Sequence, residues 1–385
     1  MSKACILFFI MLQCSVINAQ TDCLKKNSKE YIYSMYYSDT TGLTGPGWYF
    51  LQSKLKDSQY VLLGETHGTK EIPVIVKEIN DNWKFDYFIT EIDSMSAAFL
   101  TDPAIEKKQV LYDVPGGFAM YSTKEESELI ESLLANEVAI EGIDMVHPIS
   151  FRLFLFALLQ TKGLSQKSYR RVRSLIAQQE KDIVQIGVVS SKEKRKMERR
   201  LLKINKKDFK GKNGLISFLL NNKYLPRQME NRAIYMQEKF LALAKQKGFS
   251  DKNILFKFGS SHLKKIKNTA GFIDLGACVN DYSKKNKINT CYIGIFAVNG
   301  LLGLPMRVNG ESVKITALEN DSYYSAEYSL FKEGNNTDQY IVVDIKGFKE
   351  KSVSKGKVCP FLKELMDNFD VLIFVKEVTA AQHFN

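Results

Sequence analysis

Four short apolar runs in this 385-residue chain end in the same way, and that recurrence constrains the fold more than any single residue does. Tyr60–Gly64 is followed at once by Glu65, Thr66 and His67, and Asp86–Thr90 by Glu91 and Asp93. Val138–Ile143 is followed by Asp144 and His147, and Ile254–Phe258 by Gly259, Ser260, Ser261 and His262. Each run has the length of a buried strand, and after the first of them Ile72, Ile75, Val76 and Ile79 recur at helical spacing. Strands alternating with helices build a parallel or mixed central sheet covered by helices, so the chain reads as α/β. In such a sheet the carboxyl ends of the strands share one rim, and that rim carries the ligand crevice.

The rest of the chain fills in around this pattern. Tyr31, Tyr33, Tyr36 and Tyr37 fall in an expected helix, Gly42 to Gly47 in a loop, and Trp48 to Lys56 in a short helix. Pro73 is compatible only with the first turn of the helix that begins near Thr69. Residues 149–250 show no convincing strand and read as a basic helical insertion, or cap, before the fourth strand. Within it Phe151 to Leu159 and Arg227 to Lys245 are helices, the second with Met229, Ile234, Met236, Phe240 and Leu243 apolar. Residues 20–148 and 251–385 then form the two parts of one α/β domain. In the second part Cys291 to Val298 and Gln339 to Ile345 are strands, Lys357 to Asn368 is a helix, and Asp370 to Val375 is a last strand closing the sheet.

Residues 1–19 have the three parts of a secretory signal peptide: Lys3, an apolar run from Ala4 to Leu12, and the end Val16-Ile17-Asn18-Ala19. The mature protein is therefore expected to be exported, periplasmic or extracellular. Gln13 before Cys14 is larger than a lipobox takes, which argues against a lipid anchor. Of six cysteines, Cys23, Cys278, Cys291 and Cys359 lie outside the leader, without the CxxC spacing of a zinc ribbon or thioredoxin-type site. An exported chain permits disulfides, with Cys278 and Cys291 the pair closest in sequence, and buried free thiols are the alternative.

The net charge of +11 suggests nucleic acid until it is located. Between Lys162 and Lys212 there are 17 Lys and Arg against 5 Asp and Glu, so the basicity belongs to one segment. A solvated helical face, or peripheral contact with an anionic envelope surface through 162–212, fits this better than nucleic acid, for which interleaved aromatics or a recognised module would be needed.

The chemistry rests on a coincidence of residue types. Three of four histidines, His67, His147 and His262, follow apolar strands, together with Glu65, Glu91, Asp93 and Asp144. A carboxylate beside an imidazole is what a general base needs, because the acid orients the ring and stabilises its charged form. The same groups could hold a metal through nitrogen and oxygen. For Glu91 and Asp93 the alternative is a helix cap, for Glu71 a partner of the helix dipole, for His147 a loop position before Pro148, and for Arg227 a structural ion pair.

Gly64-Glu65-Thr66-His67-Gly68-Thr69, the Glu91 strand end, Gly142-Ile143-Asp144, Gly259-Ser260-Ser261-His262 and Phe369-Asp370-Val371-Leu372-Ile373-Phe374-Val375 resemble, in order, the landmarks of the erythromycin-esterase family. That family belongs to a wider group with the ChaN-like haem and iron uptake lipoproteins and the Tiki/TraB proteins. Arg227-Gln228-Met229-Glu230-Asn231 resembles the Arg, Met and Asn pattern on a long helix before the last histidine strand. Two features differ. One residue separates Glu65 from His67, where the esterases have two and the ChaN-like group is closer, and no arginine follows the motif, Lys70 and Lys77 being the available cations.

The resemblance implies a hydrolase that cleaves an ester or related acyl bond of a small molecule and requires no metal or cofactor. His67 would be the general base, Glu65 and Glu91 would orient it or the substrate, and His262 would assist the oxyanion or leaving group. Asp144, His147, Glu71, Asp93 and Arg227 would contact the substrate. The ChaN-like alternative is a haem- or iron-binding envelope protein without catalysis. The Tiki-like alternative is a metal-dependent peptidase whose divalent ion is held by His67 and His262.

Overall fold

The computed structural model describes residues 29–103, 118–146, 148–159, 165–184, 229–266, 271–304, 314–318, 339–352 and 360–383. Residues 1–19, which were expected to be a signal peptide, Cys23, Cys359, His147, Arg227 and most of the basic stretch lie outside them. Among the described residues no helix is long and apolar enough to cross a membrane.

The four anticipated strands are β3 (Tyr60–Glu65), β4 (Tyr87–Thr90), β5 (Ala139–Gly142) and β6 (Ile254–Gly259). They belong to one mixed sheet of ten strands, which also contains β1 (Ile32–Ser38), β2 (Gly42–Thr44), β7 (Thr290–Leu304), β8 (Lys314–Leu318), β9 (Tyr340–Asp344) and β10 (Val371–Val378). The order is β2-β1-β9-β10-β7-β3-β6-β4-β5, with β8 pairing off β7. Every pairing from β10 through to β5 is parallel. The edge formed by β9, β1 and β2 is antiparallel.

Alternation along the strands divides the core into two. Val61, Leu63, Leu255, Ile293 and Ile373 enter one cluster, and Tyr60, Leu62, Ile254, Phe256, Tyr292 and Leu372 the other. The first face is covered by α1 (Pro46–Lys56), α2 (Glu71–Asn82), α3 (Ser94–Thr101), α4 (Lys124–Ala135), α5 (Pro148–Leu159) and α6 (Gln166–Val184). The second is covered by α7 (Met229–Lys247), α8 (Leu275–Asn286), α9 (Ile345–Ser352) and α10 (Pro360–Asn368). Because both faces are covered, β3 and β6 are buried along their whole length and are apolar but for Glu65 at the end of one and Lys257 within the other. Among the described residues of the 149–250 segment there is no strand.

Three expectations need correction. The tyrosine-rich stretch after Lys29 is the strand β1, because its aromatic side chains suit a half-buried pleated surface and β9 supplies an antiparallel partner. Gly42 to Gly47 is not a loop throughout: Gly42–Thr44 pairs with β1, and Pro46 opens α1 at the position where its missing N–H costs nothing. The last strand does not lie at a boundary of the sheet but is inserted between β9 and β7. Cys278 and Cys291 are free thiols that pack with opposite core clusters, so the sheet separates them.

Candidate active site

Parallel packing of β3, β6, β4 and β5 brings their carboxyl ends to one rim. Residue parity decides which face each side chain takes there. Glu65, Lys257 and Thr90 continue the register of Leu63, Leu255 and Phe88, so they point into the first face. Arg232, from the first turn of α7, reaches the same rim from the second face.

His67 stands between two carboxylates. Its Nδ1 lies 2.8 Å from Glu65 Oε1 and its Nε2 lies 3.3 Å from Glu91 Oε2. The turn that carries it depends on Gly68, which has φ +84°, and on Gly259, where a Cβ would come within 2.8 Å of His67 Nε2. The Gly259 amide also donates to Glu91 Oε2 at 2.6 Å, fixing that carboxylate against the ring. Burial opposes a charge on His67, but Glu91 and Glu65 outweigh it and push the imidazole up to about 10. The ring is therefore a cation at neutral pH, and its side chain is 22% exposed.

Behind it, Arg232 organises the second half of the rim. Its guanidinium donates to Asp144 through Nε at 2.9 Å and Nη2 at 2.5 Å, and to Glu91 Oε1 through Nη2 at 2.5 Å. This bidentate grip uses the planar fork that distinguishes arginine from lysine. Arg232 Nη1 lies 3.1 Å from His262 Nε2, and His262 Nδ1 lies 3.1 Å from Asp274 Oδ2. Asp274 also caps α8 through the Leu275 amide, so His262 is held by a fixed helix end. Burial works against a charged His262, while Glu91 and Asp274 pull its pKa upward. Burial likewise works against the Glu91 carboxylate, yet His262, His67 and Arg232 hold it well below the ordinary range.

A third group lies beneath. Lys257, a cation in the middle of an apolar strand, donates to Glu65 Oε1 at 2.8 Å and to Glu126 Oε1 of α4 at 2.6 Å. Its Nζ sits 5.2 Å over the Tyr121 ring, and the Tyr121 hydroxyl meets Thr90. Burial depresses the lysine, but Glu126 and Glu65 raise it well above its ordinary value. Burial and the charge of Glu65 push Glu126 up to about 7 against the pull of Lys257.

Of the residues anticipated from sequence, Glu65, His67, Glu91, Asp144 and His262 converge here. Asp93 does not join their contacts: it is the N-cap of α3, accepting from the amides of Met95 and Ser96 and the Ser96 hydroxyl. Glu71 points away too, binding Thr379 through that residue's amide at 2.9 Å and its hydroxyl. His147 and Arg227 lie outside the described residues.

The cation at the rim is Arg232, five residues beyond Arg227, which sequence reasoning missed together with Lys257, Glu126 and Asp274. Two of these left a signal. Arg232 extends the row Met236, Phe240, Ala244 by one step of four, and Lys257 interrupts a strand that is otherwise apolar.

A metal or haem iron shared by His67 and His262 would need a free nitrogen on each ring, and both nitrogens of His262 are taken, by Arg232 and by Asp274. Arg232 stands among Glu91, Asp144 and His262, where a metal would have to lie. The residues as placed do not fit such an ion.

The solved structures that match most of the chain include three with TM-scores above 0.5. The first is a protein from Bacillus cereus with 16% identity, covering 94% of this chain and 99% of that one at a TM-score of 0.55. The second is a succinoglycan biosynthesis protein with 16% identity, 95% and 99% coverage and a TM-score of 0.56. The third, a mutant of the erythromycin esterase EreC in its open conformation, has 12% identity, 88% and 95% coverage and a TM-score of 0.54. The fold is erythromycin esterase-like. No family model matches the chain, and no curated protein matches it. At these identities the esterase-like likeness concerns the path of the backbone alone.

Proposed function

We propose that this chain is a hydrolase that cleaves an ester or related acyl bond of a small molecule, with His67 as the proton-transferring residue. The observation that carries the reading is the placement of His67: one ring nitrogen anchored on buried Glu65, the other turned to Glu91 at the partly open rim. That is the orienter, base and reacting-edge arrangement of general acid–base catalysis. The erythromycin-esterase landmarks in the sequence and the esterase-like fold support the same reaction class.

In this reading Glu65 fixes the tautomer and stabilises the imidazolium. Glu91 Oε2 and His67 Nε2 together hold the attacking water once it replaces their direct contact, and His67 removes its proton. Arg232, 21% exposed, is the cation best placed to face a developing oxyanion. His262, 3% exposed, lies behind Arg232 and positions it rather than touching the substrate.

The charged resting state has a kinetic consequence. With the ring titrating at about 10, only about a thousandth of the free enzyme carries the basic form at pH 7. The kcat/KM for hydrolysis is expected to rise with pH and level off near 10, since this quantity follows the free enzyme. Turnover of a panel of chromogenic esters by wild type and by His67→Ala tests the assignment. Loss of about 10²-fold or more in the variant is expected. Undiminished turnover in the variant, or no turnover of any ester by the wild type, overturns it.

A further inference from the structure

The Lys257–Glu126 pair plays no part in the hydrolytic reading, yet one atom joins it to His67. Glu65 Oε1 accepts from His67 Nδ1 and from Lys257 Nζ, each at 2.8 Å, and the same Nζ reaches Glu126 Oε1 at 2.6 Å. The result is an unbroken line of charge, Glu126 to Lys257 to Glu65 to His67, running from the interior to the rim. Lys257 is 2% exposed and Glu126 6%, so little solvent screens it.

Two details point beyond a structural role. Stability alone would be served as well by apolar residues of similar volume, because desolvating an ion pair costs about what the pairing returns. The second oxygens of Glu65 and Glu126 are also buried, and neither has a hydrogen-bond partner among the described residues. Two carboxylates sharing one ammonium, each with an unsatisfied oxygen, form a place where a proton is readily held.

We propose that Glu126, acting through Lys257 and Glu65, sets the protonation of His67 and is therefore a positioning residue for proton transfer at the rim. The groups that face Glu126 are Lys257 of β6, Glu65 of β3, His67 after it, and Tyr121 of the turn before α4. Those facing His67 are Glu65 and Glu91. An ionised Glu126 adds negative charge behind the ring and draws Lys257 away from Glu65, which favours the imidazolium. A protonated Glu126 removes both effects and favours the neutral base. Burial and Glu65 push Glu126 up to about 7, toward the range where the site would work.

The proposal rests on the reading of His67 as the proton-transferring residue, but its test needs no substrate. Ring-nitrogen chemical shifts of His67, followed against pH in the full chain with labelled histidine, give its midpoint directly. Glu126→Gln is expected to lower that midpoint by about one pH unit. Glu128→Gln, which removes a charge from the exposed side of the same helix, is expected to leave it in place. The wild-type curve is expected to carry a second, smaller inflection where Glu126 titrates. Equal midpoints in the two variants overturn the proposal. Should Glu126→Gln fail to fold, a wild-type curve with a single inflection overturns it. A shifted midpoint in a protein that hydrolyses no ester leaves the tuning in place and removes the hydrolase reading.

Discussion

Two ionic groups meet at Glu65, and they differ mainly in their access to water. The rim group of His67, Glu91, Arg232 and Asp144 has side chains 10–22% exposed, whereas Lys257, Glu65 and Glu126 are 2–7% exposed. The residue types are similar, so the difference isolates solvation. Charges at the rim can be exchanged for substrate or water at modest cost, while those beneath answer only to their neighbours and to the proton they share. This division suits a site in which one layer reacts and the other holds the electrostatic setting.

The sharpest way to break the comparison is to remove the interior cation. Lys257→Met leaves Glu126 buried without a counter-charge and Glu65 with His67 alone, and a loss of about 3–5 kcal/mol is expected in urea unfolding. Arg232→Ala removes the corresponding cation at the rim, where water can reach Glu91 and Asp144. There a smaller loss, about 1–3 kcal/mol, is expected in the same measurement, with ester turnover falling as well. Equal losses for the two variants would show that solvation does not separate the groups.

Dependence on pH separates them more finely. His67 in the folded protein is raised from 6.5 to about 10, so its contribution to stability is complete below about pH 6.5 and is lost as pH rises through 10. Glu126 is raised from 4.5 to about 7, so the folded state binds the extra proton between those values and stability falls as pH rises from 4.5 to 7. Unfolding midpoints measured across pH should therefore decline in two windows. In Glu126→Gln the decline between pH 4.5 and 7 should shrink, while the alkaline one remains.

The smallest effect is expected where neither group is touched. Glu71, anticipated as a substrate contact, ties Thr379 over the motif turn, where the Lys70 amide also donates to the Thr379 carbonyl and the Ala381 amide to that of Gly68. Glu71→Gln should change stability by no more than about 1 kcal/mol and leave the His67 midpoint unchanged in nuclear magnetic resonance.

Much of the fold was legible because its signals are local. The runs ending at Gly64, Thr90, Ile143 and Phe258 are bounded by small or charged residues, and helical spacing follows them without any knowledge of neighbours. The tyrosines after Lys29 are ambiguous in sequence because a helix and a half-buried strand make similar use of apolar aromatics. Only the presence of β9 alongside decides between them. Asp93 shows the same limit at the site: a carboxylate after a strand and before a helix fits both a ligand and a cap, and the Met95 and Ser96 amides settle which it is.

By itself the sequence determined the α/β alternation and which residue types stand at each strand end, since both depend on side chains a few positions apart. The tertiary structure alone decided their partners. Arg232 joins Glu91 from 141 residues away, and Lys257 joins Glu126 and Glu65 across 131 and 192. Ion pairing depends on distance in space and on burial, neither of which a sequence interval fixes. For that reason His67 was visible as an imidazole beside a carboxylate, while the interior charges that set its protonation were not.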